Sequence, residues 1–220
     1  ILIVISEEDV VMSDKAIFQS TSQVTVSIVK GIPPSLLSPA LSLFWKAFSR
    51  KLRFILGSEE KTLQFLERCI VSDQAISAID SDGRLAGFAT IKNHEHSFVN
   101  PTIATFCEEY GTLGGILRAM VMNQLDYKPA EDEIMIESIC VNESVRGMGI
   151  GQTLLCHIKN MACGQGKKLI LDVIADNEGA RRLYERNGFF EIGRKSFILS
   201  APLFGFRQAV RMQFSSHIPD

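Results

Sequence analysis

A mixed α/β fold of about seven strands and about four helices, with one helical insert, is predicted for this 220-residue chain. Three observations predict it. Apolar residues at period two recur in short runs, and between them lie longer runs at helical spacing. Glycine, proline and aspartate separate the runs as turn signals. Between residues 134 and 161 a strand enters a glycine-rich turn that opens an amphipathic helix. With 46% hydrophobic and 22% charged residues the composition is that of an ordinary globular protein.

Residues 1–22 show no clean period and are set apart as an extension of uncertain structure; 23–220 are expected to form one domain with an insert at 94–132. Val24 to Val29 alternates as a strand, stopped by Gly31-Ile32-Pro33-Pro34. Ser35 opens a helix to about Phe48, and a second runs from Ser58 to about Ile70, its start favoured by Glu59 and Glu60. Gln74 to Ile79 and Leu85 to Ile91 form a hairpin around Asp80-Ser81-Asp82-Gly83. The insert holds a helical stretch from about Ile103 to Leu125, interrupted by Gly111, Gly114 and Gly115. Ile134 to Val141 is a strand, and Gly149 to about Ala162 a helix with Ile150, Thr153, Leu154 and Ile158 inward. Leu169 to Ala175 is a strand, Glu178 to Arg186 a short helix, and Phe189 to Leu199 and Gln208 to Phe214 a closing pair of strands.

Charge and cysteine usage narrow the function classes. A net charge of −2 lacks the basic excess of a nucleic-acid binder. No apolar stretch approaches the roughly 18 residues of a membrane span. The apolar Ile1 to Ile5 is shorter than a signal-peptide core, and Glu7, Glu8 and Asp9 follow it. Cys69, Cys107, Cys140, Cys156 and Cys163 are odd in number and include no C-x-x-C pair. They point to a reducing, cytoplasmic setting rather than a disulfide frame or zinc site. His94 and His96 have no further His or Cys near them in sequence, so no metal is expected.

The turn after Val141 reads Asn142-Glu143-Ser144-Val145-Arg146-Gly147-Met148-Gly149-Ile150-Gly151. Side-chain-free backbone lets amides approach phosphate oxygens, and the N-terminus of the following helix adds favourable dipole charge. A dinucleotide fingerprint would need glycine where Gln152 stands, and the Gly-Lys-Ser/Thr end of a P-loop is absent. The turn instead resembles R-x-x-G-x-G, the pyrophosphate signature of the GNAT superfamily of N-acetyltransferases. Downstream, Asn177 to Phe189 is similar to that family's N-x-x-A-x-x-L-Y-x-x-x-G-F block.

The resemblance implies a mixed, mostly antiparallel twisted sheet and transfer of an acetyl group from acetyl-CoA directly to an amine of a small molecule or protein. It implies that Arg146, Gly147, Met148, Gly149, Ile150, Gly151 and Gln152 cradle the pyrophosphate. Main-chain groups along Ile139, Cys140 and Val141 would pair with the pantetheine arm and polarise the thioester, and Asn177 would bond the pantetheine. Tyr184, two helical turns after Asn177, would bind there too and protonate the departing thiolate. Glu137 is the candidate base, read as sharing the parity of Ile139 and Val141, with Glu133 as runner-up. Cys140 as an acyl carrier is the weaker alternative. Glu108 and Glu109 could attract a cationic amine, and Ser200 to Gly205, the first two helices and the insert would border the acceptor cleft. A non-catalytic acyl-CoA-binding regulatory domain, a longer acyl donor and a homodimer all stay open.

Overall fold

The computed structural model describes residues 25–197 and 206–215. The extension at 1–22 and the Ser200 to Gly205 link lie outside them. Strand β1 (Val26–Lys30) is followed by helices α1 (Leu37–Leu56) and α2 (Glu59–Cys69), then the hairpin β2 (Ala75–Asp80) and β3 (Leu85–Lys92). The insert forms α3 (Ile103–Tyr110) and α4 (Thr112–Leu125). Next come β4 (Glu133–Val141), α5 (Ile150–Gly164), β5 (Lys168–Ile174), α6 (Glu178–Arg186), β6 (Phe189–Ser196) and β7 (Gln208–Phe214). Among the described residues no helix is long and apolar enough to cross a membrane.

The seven strands make one sheet in the order β1-β2-β3-β4-β5-β7-β6, antiparallel except where β4 meets β5. The predicted mixed sheet is therefore the observed one. Two apolar clusters sandwich it. On one face α1 and α2 pack over Phe88, Phe98 and Cys140. On the other, α5 and α6 cover Ile134, Ile136, Ile139, Val141, Leu169, Leu171 and Val173. Helix α1 runs eight residues past the expected end at Phe48, because Leu52, Ile55 and Leu56 continue its buried stripe. In α5, Thr153 is exposed and donates to the Gly149 carbonyl, while Leu155 takes the inward place expected of it.

Of the three insert glycines only Gly111 breaks the helix, at φ 72° between α3 and α4. Gly115 lies inside α4, and a Cβ there would stand 2.5 Å from the Cys107 nitrogen and 2.6 Å from its Cα. The missing side chain is what lets α3 and α4 touch backbone to backbone. The pair is then moored to the C-terminal end of α1, whose last carbonyls have no partner within that helix. Arg118 donates to the Ile55 carbonyl at 2.7 Å and Tyr110 to the Leu56 carbonyl at 2.8 Å. Arg118 also lies over the Tyr110 ring, 4.4 Å from its centroid. Burial pushes the Tyr110 phenol up to about 12, so it stays a donor.

The chain's return to β4 is fixed just as firmly. Asp172 and Arg211 form a bidentate pair across β5 and β7, at 2.7 and 2.8 Å. The guanidinium stacks 3.5 Å from the centroid of Tyr127, whose hydroxyl donates to Glu133. Gly115→Ala is expected to force α3 away from α4 and to cost about 1–3 kcal/mol of stability, as overpacking does. Denaturant unfolding measures it, and an unchanged midpoint would contradict the close approach.

Candidate active site

Strands β4 and β5 pair only from Glu133↔Lys168 to Ile136↔Leu171. Beyond that point β4 continues against β3 as far as Val141, while β5 continues against β7 as far as Ile174. The β4 edge from Glu137 to Val141 therefore faces a widening gap in mid-sheet. An unpaired edge of this kind accepts an extended, amide-bearing chain as though it were another strand.

At the end of that edge stands the glycine turn. Gly147 and Gly149 hold φ of 77° and 83°, and nothing lies within 4 Å of where a Cβ would point at either. Gly149 is the N-cap of α5 and supplies no side-chain cap. The first amides of α5 thus lack a side-chain cap, an arrangement shared with helix N-termini that bind anions. Gly151 packs inward instead, its Cβ position 3.6 Å from Val141 and 3.9 Å from Ile139, which seats the helix start against the strand. Gln152 donates from its side chain to Asn187, tying α5 to α6. Arg146 and Met148 are half-buried beside the turn.

Asn177 caps α6 by accepting from the Ala180 amide at 3.0 Å. Its Nδ2 is buried without a partner among the described residues, and so is the Tyr184 hydroxyl. Tyr184 is fully buried, edge-on to Phe189 with ring centroids 5.6 Å apart. Burial alone pushes its phenol well above the ordinary value of 10. A buried polar atom left unpaired costs about 1–3 kcal/mol. Two such atoms two turns apart along one helix suit a ligand that reaches both.

Glu137 stands where the strands part, and its side chain does not share the face of Ile139 and Val141. In the β3–β4 register Thr90 faces Ser138 and Ile91 faces Ile136, so Glu137 is the extra residue of a β-bulge. The bulge shifts the parity. Ile134 and Ile136 before it, and Ile139 and Val141 after it, all pack toward α5, whereas Glu137 lines a cavity of about 410 Å³ on the α1 side. The expectation that Glu137 shares a face with Ile139 and Val141 is thus corrected. Its carboxylate is 4% exposed and accepts from the Ser97 hydroxyl at 2.8 Å and the Phe98 amide at 3.1 Å.

The other acidic candidates lie elsewhere. Glu133 accepts from the Tyr127 hydroxyl and the Ala130 amide, both at 2.9 Å, and does not line the cavity. Glu109 is paired with Arg68, and neither it nor Glu108 reaches the cavity wall. The Cys140 side chain is buried in the α1-side core. His94 Nδ1 donates to the Pro129 carbonyl at 3.1 Å, and His96 faces Glu95 at 3.9 Å. Among the described residues no group of three or more His, Cys, Asp or Glu is placed to hold a metal.

A family model described as the acetyltransferase (GNAT) family matches residues 40–189. The chain belongs to that family. It is an enzyme of the N-acetyltransferase class. Solved structures share this acetyltransferase's fold over nearly their whole length. One, titled an acetyltransferase, is 19% identical with a TM-score of 0.58, over 87% of this chain and 100% of its own. An N-acetyltransferase from Staphylococcus aureus Mu50 is 17% identical with a TM-score of 0.58, over 85% and 99%. The ribosomal-protein-S18-alanine N-acetyltransferase from Escherichia coli is 16% identical with a TM-score of 0.51, over 89% and 97%. At these identities the likeness is one of fold. Among curated proteins none matches the chain.

The first two helices and the insert, expected to border an acceptor cleft, line this acetyltransferase's cavity, while the place of Lys92 in it was not foreseen. The cavity walls come from α1, α2, the loop 97–101, α3, α4 and β4. Lys92 at the end of β3 is paired there with Asp126 just after α4. Replacing Gly149 by Val is expected to abolish binding of CoA through the turn, since a β-branched residue at φ 83° is strained and fills the open side. Calorimetric titration with CoA, on protein whose circular dichroism is unchanged, measures the loss; wild-type affinity would remove the turn from the site.

Proposed function

We infer that this acetyltransferase takes acetyl-CoA as donor and moves its acetyl group directly to an amine. The observation that carries the reading is the parting of β4 and β5 beyond Ile136 and Leu171, with the glycine turn at one end and Glu137 at the other. Three features fit CoA. The turn leaves backbone room for a pyrophosphate at Gly147 and Gly149. The open edge along Ile139, Cys140 and Val141 suits the amides of pantetheine. Asn177 Nδ2 and the Tyr184 hydroxyl, on the helix that follows β5, are unsatisfied donors. When bound, acetyl-CoA supplies a thioester activated toward attack by nitrogen.

The chain's own groups then have separate tasks. Main-chain amides of β4 orient and polarise the acyl carbonyl. An alkylammonium with a pKa near 10.4 costs roughly 4–5 kcal/mol to deprotonate at neutral pH, so a base is worth having. Glu137 is the carboxylate that the cavity presents for this, directly or through water. Tyr184, whose phenol burial keeps protonated through neutral and mildly alkaline pH, gives its proton to the leaving sulfur. Cys140 takes no acyl group in this scheme, its side chain being buried in the α1-side core. The five cysteines, all free, support a reducing, cytoplasmic setting.

The direct test is release of CoA thiol from acetyl-CoA in the presence of amines; a folded protein that binds no acetyl-CoA would end the reading. Tyr184→Phe keeps the ring packing and removes the proton, so kcat is expected to fall roughly 10- to 1,000-fold with little change in CoA affinity. Wild-type turnover, with chemistry shown to limit the rate, would leave Tyr184 only a wall of the site. Glu137→Gln is expected to slow the reaction most near neutral pH and to recover as pH rises and the amine deprotonates itself. Superimposable pH profiles would take the base role from Glu137.

A further inference from the structure

Resting on that reading, which it deepens, we propose that the acceptor is a primary monoamine carried on an apolar body, an arylalkyl- or alkylamine, bound in the cavity under the α3–α4 insert with its ammonium on Glu137. The charge balance of the cavity sets the number of amines. Three charged side chains line it: Lys92, Asp126 and Glu137. Lys92 and Asp126 neutralise each other. Glu137 is held by a hydroxyl and a main-chain amide, both neutral, and among the described residues it forms no salt bridge. A buried carboxylate without a cation is costly, and the ammonium of a bound amine relieves that cost. The cavity thus asks for one positive charge. A polyamine would need a second unpaired carboxylate there, and an amino acid an unpaired cation; the lining offers neither.

The mouth sets the rest of the molecule. Ile103, Ile116 and Met120 line the cavity and are also 64%, 36% and 63% exposed, so the opening lies between α3 and α4 and its rim is apolar. Leu113 and Leu117 extend the same face of α4 outward. Deeper in, Leu56, Phe65 and Phe106 give an apolar wall. A peptide backbone leaving through this rim would strand its amides against hydrocarbon, at a cost that an aliphatic or aromatic body avoids. The volume of about 410 Å³ is that of a small-molecule site.

The experiment is calorimetric titration of 2-phenylethylamine, octylamine, spermidine, alanine and an alanine-initiated pentapeptide into the full chain, followed by kcat/KM for each with acetyl-CoA. The two apolar monoamines are expected to bind saturably and to lead in kcat/KM by roughly 10- to 200-fold, the range that apolar pocket contacts supply. Glu137→Gln and Met120→Asp are each expected to weaken their binding about tenfold or more. Met120 is exposed, so its variant keeps the fold should Glu137→Gln lose it. Tighter binding of spermidine, alanine or the peptide would overturn the proposal, as would apolar-amine affinity untouched by Met120→Asp. Acetyl-CoA is titrated into the same samples. Amine binding without acetyl-CoA binding sinks the acetyl-transfer reading and leaves the amine site standing; the reverse sinks the amine site alone.

Discussion

Strands β4 and β5 begin as a hydrogen-bonded parallel pair and end as the two sides of an opening, because each keeps its other neighbour while losing this one. β4 stays with β3, which belongs to a hairpin, and β5 stays with β7, which closes on β6. The bulge at Glu137 falls where the pairing stops, and bulges bend a strand and increase its twist. One irregularity therefore coincides with the opened edge, the cavity-facing carboxylate and the approach to the glycine turn. The seats proposed for donor and acceptor meet at the residues around it.

Features written in neighbouring residues were legible in the sequence. The glycine turn announced itself because positive φ and an uncapped helix start both need glycine, at Gly147 and Gly149. The span of α6 was equally local, whereas the capping of that helix by Asn177 was not read from the sequence. Nor was the bulge, since a single strand's period of two shows no insertion until its partner's register is known. The elements bordering the cavity were legible in advance, but its individual lining residues were not, since they are gathered from segments between Leu52 and Glu137 that meet only through the tertiary fold. The end of α1 was missed because Ser49-Arg50-Lys51 looks like a polar stop, whereas Leu52, Ile55 and Leu56 resume the buried stripe a turn later.

The insert shows how a long excursion from the sheet becomes a wall and not a loose loop. Gly115 brings its two helices together, Tyr110 and Arg118 fasten them to the end of α1, and Lys92 with Asp126 draws the end of α4 to β3. Tyr127 then wedges the return under Arg211. Each fastening uses a group that would otherwise lack a partner, a helix-end carbonyl or a charge near the core. The strand framework can stay as it is while the surface over Glu137 changes with the helices laid across it.

The bulge also bears on which length changes the chain can tolerate. Excising the one residue at 137 would restore unbroken alternation to β4 and leave the segment from 138 to 141 on the faces it now holds. Ile139 and Val141 would still pack toward α5 and Cys140 toward α1, and only the carboxylate would be lost. Loss of one residue farther along the strand would throw what lies beyond it out of phase, but at the bulge a single codon can go and the downstream half keeps its packing.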